Sequence, residues 1–210
     1  MVNLKSLIKL CKPFIDEAFD HSKIIPATGI PFDNELRKLC EQNRCGKFGQ
    51  SWTCPPVIGR VDELQSRLAG FSHFLIFYKV YALEDSFDWE GMMNSVKDFQ
   101  SRILAFKKQL KYETADFLLV GAGACQVCET CTYPRQKPCR FPDDALFPIE
   151  SFGIDVMKMM MDNGLKYNNG PNTVTYIGGL FYKGAIIKAK GNACRHRVDT
   201  DVRITIPKSG

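Results

Sequence analysis

Phe74-Leu75-Ile76-Phe77-Tyr78-Lys79-Val80-Tyr81 is an aromatic and branched run carrying a single charge. Apolar residues at consecutive rather than alternate positions predict a strand buried on both faces. Downstream, Met92, Val96, Phe99, Ile103, Phe106 and Leu110 recur at steps of four and three, with Lys97, Lys107, Lys108 and Lys111 turned the other way. That is the spacing of an amphipathic helix. Phe117-Leu118-Leu119-Val120 reads as a second buried strand and Thr173-Val174-Thr175-Tyr176-Ile177 as a third. Gly178-Gly179 is expected to bend the third strand before Leu180-Phe181-Tyr182, and Ala185-Ile186-Ile187 is a candidate fourth. A long helix between the first two strands predicts a parallel, right-handed pair. The expected class is α/β or α+β, a small mixed sheet flanked by helices with cysteine-rich loops at one end.

Outward from this centre, Leu4, Leu7, Ile8, Cys11, Ile15, Ala18 and Phe19 lie at helical spacing, and Pro13 predicts a kink or a break into two short helices. A turn-rich stretch, Pro26 to Pro31, follows. Asn34 is a candidate cap for a short helix that carries Leu36 and Leu39 and ends at Cys40. Residues 40–59 read as an irregular loop. Val61, Leu64 and Leu68 mark a helix closed by Gly70, and Ile154, Met157, Met161 and Leu165 mark another closed near Gly164.

The chain has 210 residues, 45% of them hydrophobic and 24% charged, enough for one sizeable core. We expect one cysteine-rich metal-binding domain over 1–188 and a basic C-terminal extension over 189–210. The net charge of +5 is not gathered on one segment of the main body, which argues against a nucleic-acid partner. No run is apolar enough to span a membrane, and lysines interrupt the first apolar residues, which argues against a signal peptide. A cytoplasmic location is the expectation, and in a reducing compartment nine clustered cysteines point to metal or redox chemistry rather than disulfides.

Cys125, Cys128 and Cys131 stand at steps of three, with Cys139 downstream. Two residues between ligands let the backbone curl so that successive thiolates point inward, and a remote fourth closes the far side, as a [4Fe-4S] cluster requires. Zinc is the alternative cofactor. A zinc ribbon uses two separate Cys-x-x-Cys knuckles. Here Cys128 belongs to both overlapping pairs, which favours iron–sulfur without settling the matter. Gly121 and Gly123 would let backbone N–H groups approach the sulfurs, and Arg135, Lys137 and Arg140 would offset thiolate charge.

Cys40, Cys45 and Cys54 form a second, looser group. Three ligands leave a position open for substrate, water or a fourth protein ligand, with Cys11 and Cys194 as candidates. Spacing alone weighs a metal site and simple loop packing equally.

Gly49-Gln50-Ser51-Trp52-Thr53-Cys54-Pro55-Pro56, the Cys125-x-x-Cys-x-x-Cys131 run, Lys137-Pro138-Cys139-Arg140-Phe141-Pro142, Gly153-Ile154-Asp155-Val156 and Tyr176-Ile177-Gly178-Gly179 together resemble a prokaryotic family of predicted metal-binding proteins, domain of unknown function 2284. The resemblance covers roughly residues 40–182. It implies metal binding by both cysteine groups and a setting typical of anaerobes. It supplies no reaction and does not reach the tail from Ala189, which contains Cys194-Arg195-His196-Arg197.

The other signals are weaker. His21, His73 and His196 form no metal-ligand pair, and His73 reads as structural. Met157, Met159, Met160 and Met161 read as core filler rather than a soft-metal site. Gly121-Ala122-Gly123-Ala124 lacks the lysine of a phosphate loop. Asp143, Asp144 and Glu150 are acid–base candidates for which solvated loop positions are the simpler expectation. Three functions are therefore open: electron transfer with a redox protein partner, a zinc-clipped interaction module, and a metalloenzyme with its open site at the trio.

Overall fold

The computed structural model describes residues 11–110 and 117–183, and the backbone of 2–3 and 186–187. In chain order the strands and helices are β1 (Val2–Asn3), α1 (Lys12–Ala18), β2 (His21–Pro26), α2 (Leu36–Glu41), α3 (Val61–Leu68), β3 (His73–Ala82), α4 (Trp89–Leu110), β4 (Phe117–Gly121), β5 (Phe147–Pro148), α5 (Val156–Asp162), β6 (Thr173–Tyr182) and β7 (Ile186–Ile187). Five strands make one mixed sheet in the order β2-β3-β6-β4-β5, so the fold is α+β. β2–β3, β3–β6 and β6–β4 are antiparallel, while β4–β5 is parallel. β1 and β7 pair separately.

The consecutive apolar residues of β3 are explained by burial on both faces. Leu75 and Phe77 join Phe14, Ile15 and Phe19 around α1 and Phe99, Ile103, Phe106 and Leu110 of α4. Phe74, Ile76 and Tyr78 face Leu64 and Leu68 of α3, Met159 and Met160 of α5, and Phe152. Alternate side chains thus feed two cores, and from Phe74 to Tyr78 neither face of β3 meets water.

β3 and β4 run in the same direction, as expected of a crossover through α4, but they are not neighbours. β6 lies between them and pairs with both, Leu75 opposite Leu180 and Leu119 opposite Leu180 from the other side. Gly178-Gly179 does not bend this strand, which runs unbroken to Tyr182. The glycines make room instead. A Cβ on Gly179 would lie 2.2 Å from Phe74 Cζ and 2.6 Å from the Leu75 carbonyl oxygen, and one on Gly178 would lie 2.8 Å from that of Val120.

Other local expectations shift for identifiable reasons. Pro13 stands in the first turn of α1 and opens that helix, where its missing N–H costs nothing; residues 4–10 lie outside the described set. β2 was hidden in its sequence because it is an edge strand, with Ile25 its one buried residue. Asn34 does not cap α2; its side-chain oxygen accepts from Gln65 Nε2 at 2.9 Å. In α5, Met159 and Met160 are buried while Met157 and Met161 are exposed, the reverse of the predicted face for the latter two. Ile154 pairs with Phe32 before α5 begins, and Asp155 caps the helix by accepting from Lys158 N, so a helical phase counted from Ile154 starts too early. Candidate strand Ala185-Ile186-Ile187 is present as Ile186–Ile187, outside the five-stranded sheet.

Gly179→Ala should destabilise the fold by about 2–3 kcal/mol, roughly 5–10 °C in Tm, because ring and carbonyl both occupy the added methyl's space. Gly29→Ala, with nothing within 4 Å, should change stability by less than about 0.5 kcal/mol in the same melts. Equal shifts for the two would contradict this packing.

Candidate metal centre

β4 ends at Gly121, and the chain loops out before returning as β5 alongside it. The start of the loop is hung from α4 by Gln100. Gln100 is 3% exposed, and its Nε2 donates to the carbonyls of Ala122 and Ala124, both at 2.9 Å. Its Oε1 accepts from Gln126 N at 2.8 Å. Gly123 takes a left-handed φ of 67°, turning the chain between the two clamped carbonyls. Gly121 has a packing role, its α-carbon facing Ile103 Cδ1.

Cys125, Cys128, Cys131 and Cys139 line a single pocket walled by Trp52, Val127 and Phe141, with no carboxylate or imidazole in the lining. All four are free and half-buried. Burial pushes the Cys125 thiol above its ordinary value, against backbone N–H groups of Val127 and Leu146 that donate to its sulfur, while Cys128 and Cys139 add to the rise. Trp52 staples the loop's second half: its Nε1 donates to the Lys137 carbonyl at 3.1 Å and to Thr132 Oγ1 at 3.2 Å, and its ring meets Tyr133 edge-on. Thr132 Oγ1 donates in turn to the Pro138 carbonyl at 2.9 Å, and Arg140 Nη2 donates to the Thr130 carbonyl.

The trio forms a separate neighbourhood. Cys40 sits in the last turn of α2, Cys45 is exposed in the following turns, and Cys54 is 6% exposed. Arg37 ties this region together by donating to the Ser151 carbonyl at 2.8 Å and the Gly59 carbonyl at 2.6 Å. Burial raises the Cys40 thiol, while the Arg37 charge opposes the rise. Burial pushes Cys54 up to about 11, with Ser51 and Thr53 hydroxyls hydrogen-bonding against that trend and Cys45 and Cys40 adding to it.

Cys11 is no fourth ligand. It is fully buried in the α1–α4 core and is disulfide-bonded. Cys194 and His196 lie outside the described residues, as do residues 189–210. His73 is structural: it stacks on Tyr182, with Ser72 Oγ 2.8 Å from its Nδ1. Asp144 is engaged by Lys107 at 3.2 Å. Glu150 lies near the trio rather than the four-cysteine loop: although the residue as a whole is exposed, desolvation pushes its carboxyl up to about 7, and its charge is felt at Cys40. Sequence reading missed Gln100 and Arg37. Gln100 left a trace, a polar residue beside Phe99 on the apolar face of a strongly patterned helix.

As the structure stands, no group of three or more His, Cys, Asp or Glu side chains among the described residues is disposed to hold a metal ion. The shared pocket measures about 10 Å³, room for about one water. Its chemistry nevertheless fits a thiophilic metal: four thiols, backbone amides at the sulfur of Cys125, and no oxygen side chain harder than the neutral hydroxyls of Ser51 and Thr53.

The fold and these loops define a cysteine-rich α+β protein that collects soft donors at one end of a mixed sheet. The chain belongs to the family of predicted metal-binding proteins (DUF2284), whose model matches residues 23–182. No curated protein and no solved structure matches the chain. No helix among the described residues is long and apolar enough to cross a membrane.

Two outcomes follow from the site's physics. The unfolded Cys54 thiol ionises near its ordinary 9.0, whereas the folded one keeps its proton to about 11. The folded state therefore binds more protons in that window, and the metal-free protein should lose stability as pH rises through it. Cys54→Ala should reduce that slope in urea melts. Separately, Gln100→Leu strips partners from two carbonyls and one amide, a local cost of about 1–3 kcal/mol. Cys125 and Cys128 of the metal-free variant should then alkylate faster than in the parent while the core remains folded; unchanged rates would remove Gln100 from its clamping role.

Proposed function

We propose that the chain carries a [4Fe-4S] cluster on Cys125, Cys128, Cys131 and Cys139 and works in electron transfer with a redox protein partner. The supporting observation is a single pocket lined by the three cysteines of the overlapping run, Cys125, Cys128 and Cys131, together with Cys139. A cluster there would supply one-electron chemistry. The chain's own part is to hold the loop with Gln100 and Trp52, donate Val127 and Leu146 N–H to Cys125 sulfur, and screen the site with Trp52 and Phe141. Cys40, Cys45 and Cys54 take a second metal in this reading, with exposed Cys45 on the open side.

A zinc ion is the second reading, favoured by the small size of the pocket. It makes the loop a structural or interaction module.

Anaerobic reconstitution distinguishes them. The cluster reading expects about four irons bound at the loop and an electron paramagnetic resonance signal on reduction. Cys128→Ala should abolish both, and Cys45→Ala should leave them in place. A colourless anaerobic preparation with one zinc at the loop, whose removal loosens the cysteine region, supports the zinc reading and defeats the cluster.

A further inference from the structure

Cys54 and Cys125 belong to different cysteine groups, yet one side chain lies between them. Thr53 Oγ1 accepts from Cys125 N at 3.4 Å. Ser51 Oγ stands 3.2 Å from Thr53 Oγ1 and accepts from Thr53 N at 3.3 Å. Both residues are buried, Ser51 at 3% and Thr53 at 1% exposure, and both hydroxyls also reach the sulfur of Cys54. Trp52, between them, is fastened to the four-cysteine loop through Lys137 and Thr132. The segment that delivers Cys54 to the trio is thus bound to the other group by a side chain and a backbone amide.

A hydroxyl has one proton to donate and lone pairs with which to accept. Ser51 and Thr53 together have two protons for each other and for Cys54. A metal-bound thiolate is a stronger acceptor than a thiol, so filling the trio draws the Thr53 O–H towards Cys54. Its oxygen, more negative once that O–H is polarised, becomes a stronger acceptor for the Cys125 amide. The chain Cys125 N–H to Thr53 O–H to Cys54 sulfur points one way, and each bond in it polarises the next.

We propose that Thr53 is a positioning residue that couples the two cysteine groups, so that a metal at Cys40, Cys45 and Cys54 changes the metal affinity of Cys125, Cys128, Cys131 and Cys139. The coupling rests on the metal-binding reading above, and it is reciprocal because it is a free energy shared by two sites.

The test uses the full chain, reduced and metal-free, with Co²⁺ as the probe under anaerobic conditions. Protection of Cys128 and Cys131 from alkylation, read by mass spectrometry against free Co²⁺, isolates the affinity of the four-cysteine group. Cys45→Ala, which disables the trio but keeps Cys54, should shift that midpoint about fivefold or more in the parent chain. In a T53V background the same change should shift it less than about twofold. T53A must repeat the T53V result without the valine's bulk, and T53S, which keeps the hydroxyl, must preserve the parent's shift. An equal shift in the parent and T53V, no shift in either, or a T53S that behaves like T53V overturns the coupling alone. If Cys128 and Cys131 are never protected in any chain, the metal reading falls and takes the coupling with it.

Discussion

The ring of Phe74 lies over the backbone of Gly179, in space that a side chain at that position of β6 would occupy. This contact lets β6 run straight between β3 and β4 and hydrogen-bond to both. The rest of the architecture depends on it. With β6 in the centre, β3 can bury both faces, one against α1 and α4 and the other against α3 and α5. β4 is displaced to the next position out, and β5 can pair with it in parallel only after a long excursion. That excursion is the cysteine loop.

Apolar burial fixes the ends of the loop, through Ala122 and Leu146, but polar contacts shape its interior. Gln100 satisfies three backbone groups in a place with little water, and Trp52 supplies a donor to the stretch between Cys131 and Cys139. Such ties are directional, so they set where backbone groups stand as well as how much surface is covered. The thiols oppose the arrangement. Burial raises Cys40, Cys54 and Cys125, and neighbouring cysteines raise them further. A bound metal relieves both effects, since it takes the thiolate form and neutralises the gathered charge, releasing protons as it binds. On the proposed metal-binding reading the two groups would be sites held ready at a cost, with Arg37 supplying a positive charge at the trio.

Much of this was legible in residue order. The unbroken apolar run of β3 announced a strand covered on both sides, and the four-and-three spacing from Met92 to Leu110 announced α4. Overlapping cysteine pairs announced a soft-donor loop after β4, and the recognised motifs matched the family to which the chain belongs. Failures clustered where local pattern carries no information about partners. β2 is polar because one edge is solvated, and the methionines of α5 take their phase from a capping aspartate rather than from the preceding isoleucine. Gly178-Gly179 resembles a break because glycine weakens isolated strands, yet here the missing side chains are what the neighbouring ring and carbonyls require.

By itself, then, the sequence determined which segments are strand or helix in the core, which residues offer sulfur, and in what chain order they arrive. Those properties follow from hydrophobic period and residue chemistry, which are local. Only the tertiary structure decided that β6 separates β3 from β4, that Gln100 and Trp52 hold the four-cysteine loop, that Cys11 belongs to the core, and that Thr53 stands between the two cysteine groups. Each of these joins residues far apart in the chain through a single contact. Such a contact leaves no periodic trace in the order of amino acids, because its geometry exists only after the sheet and helices have packed.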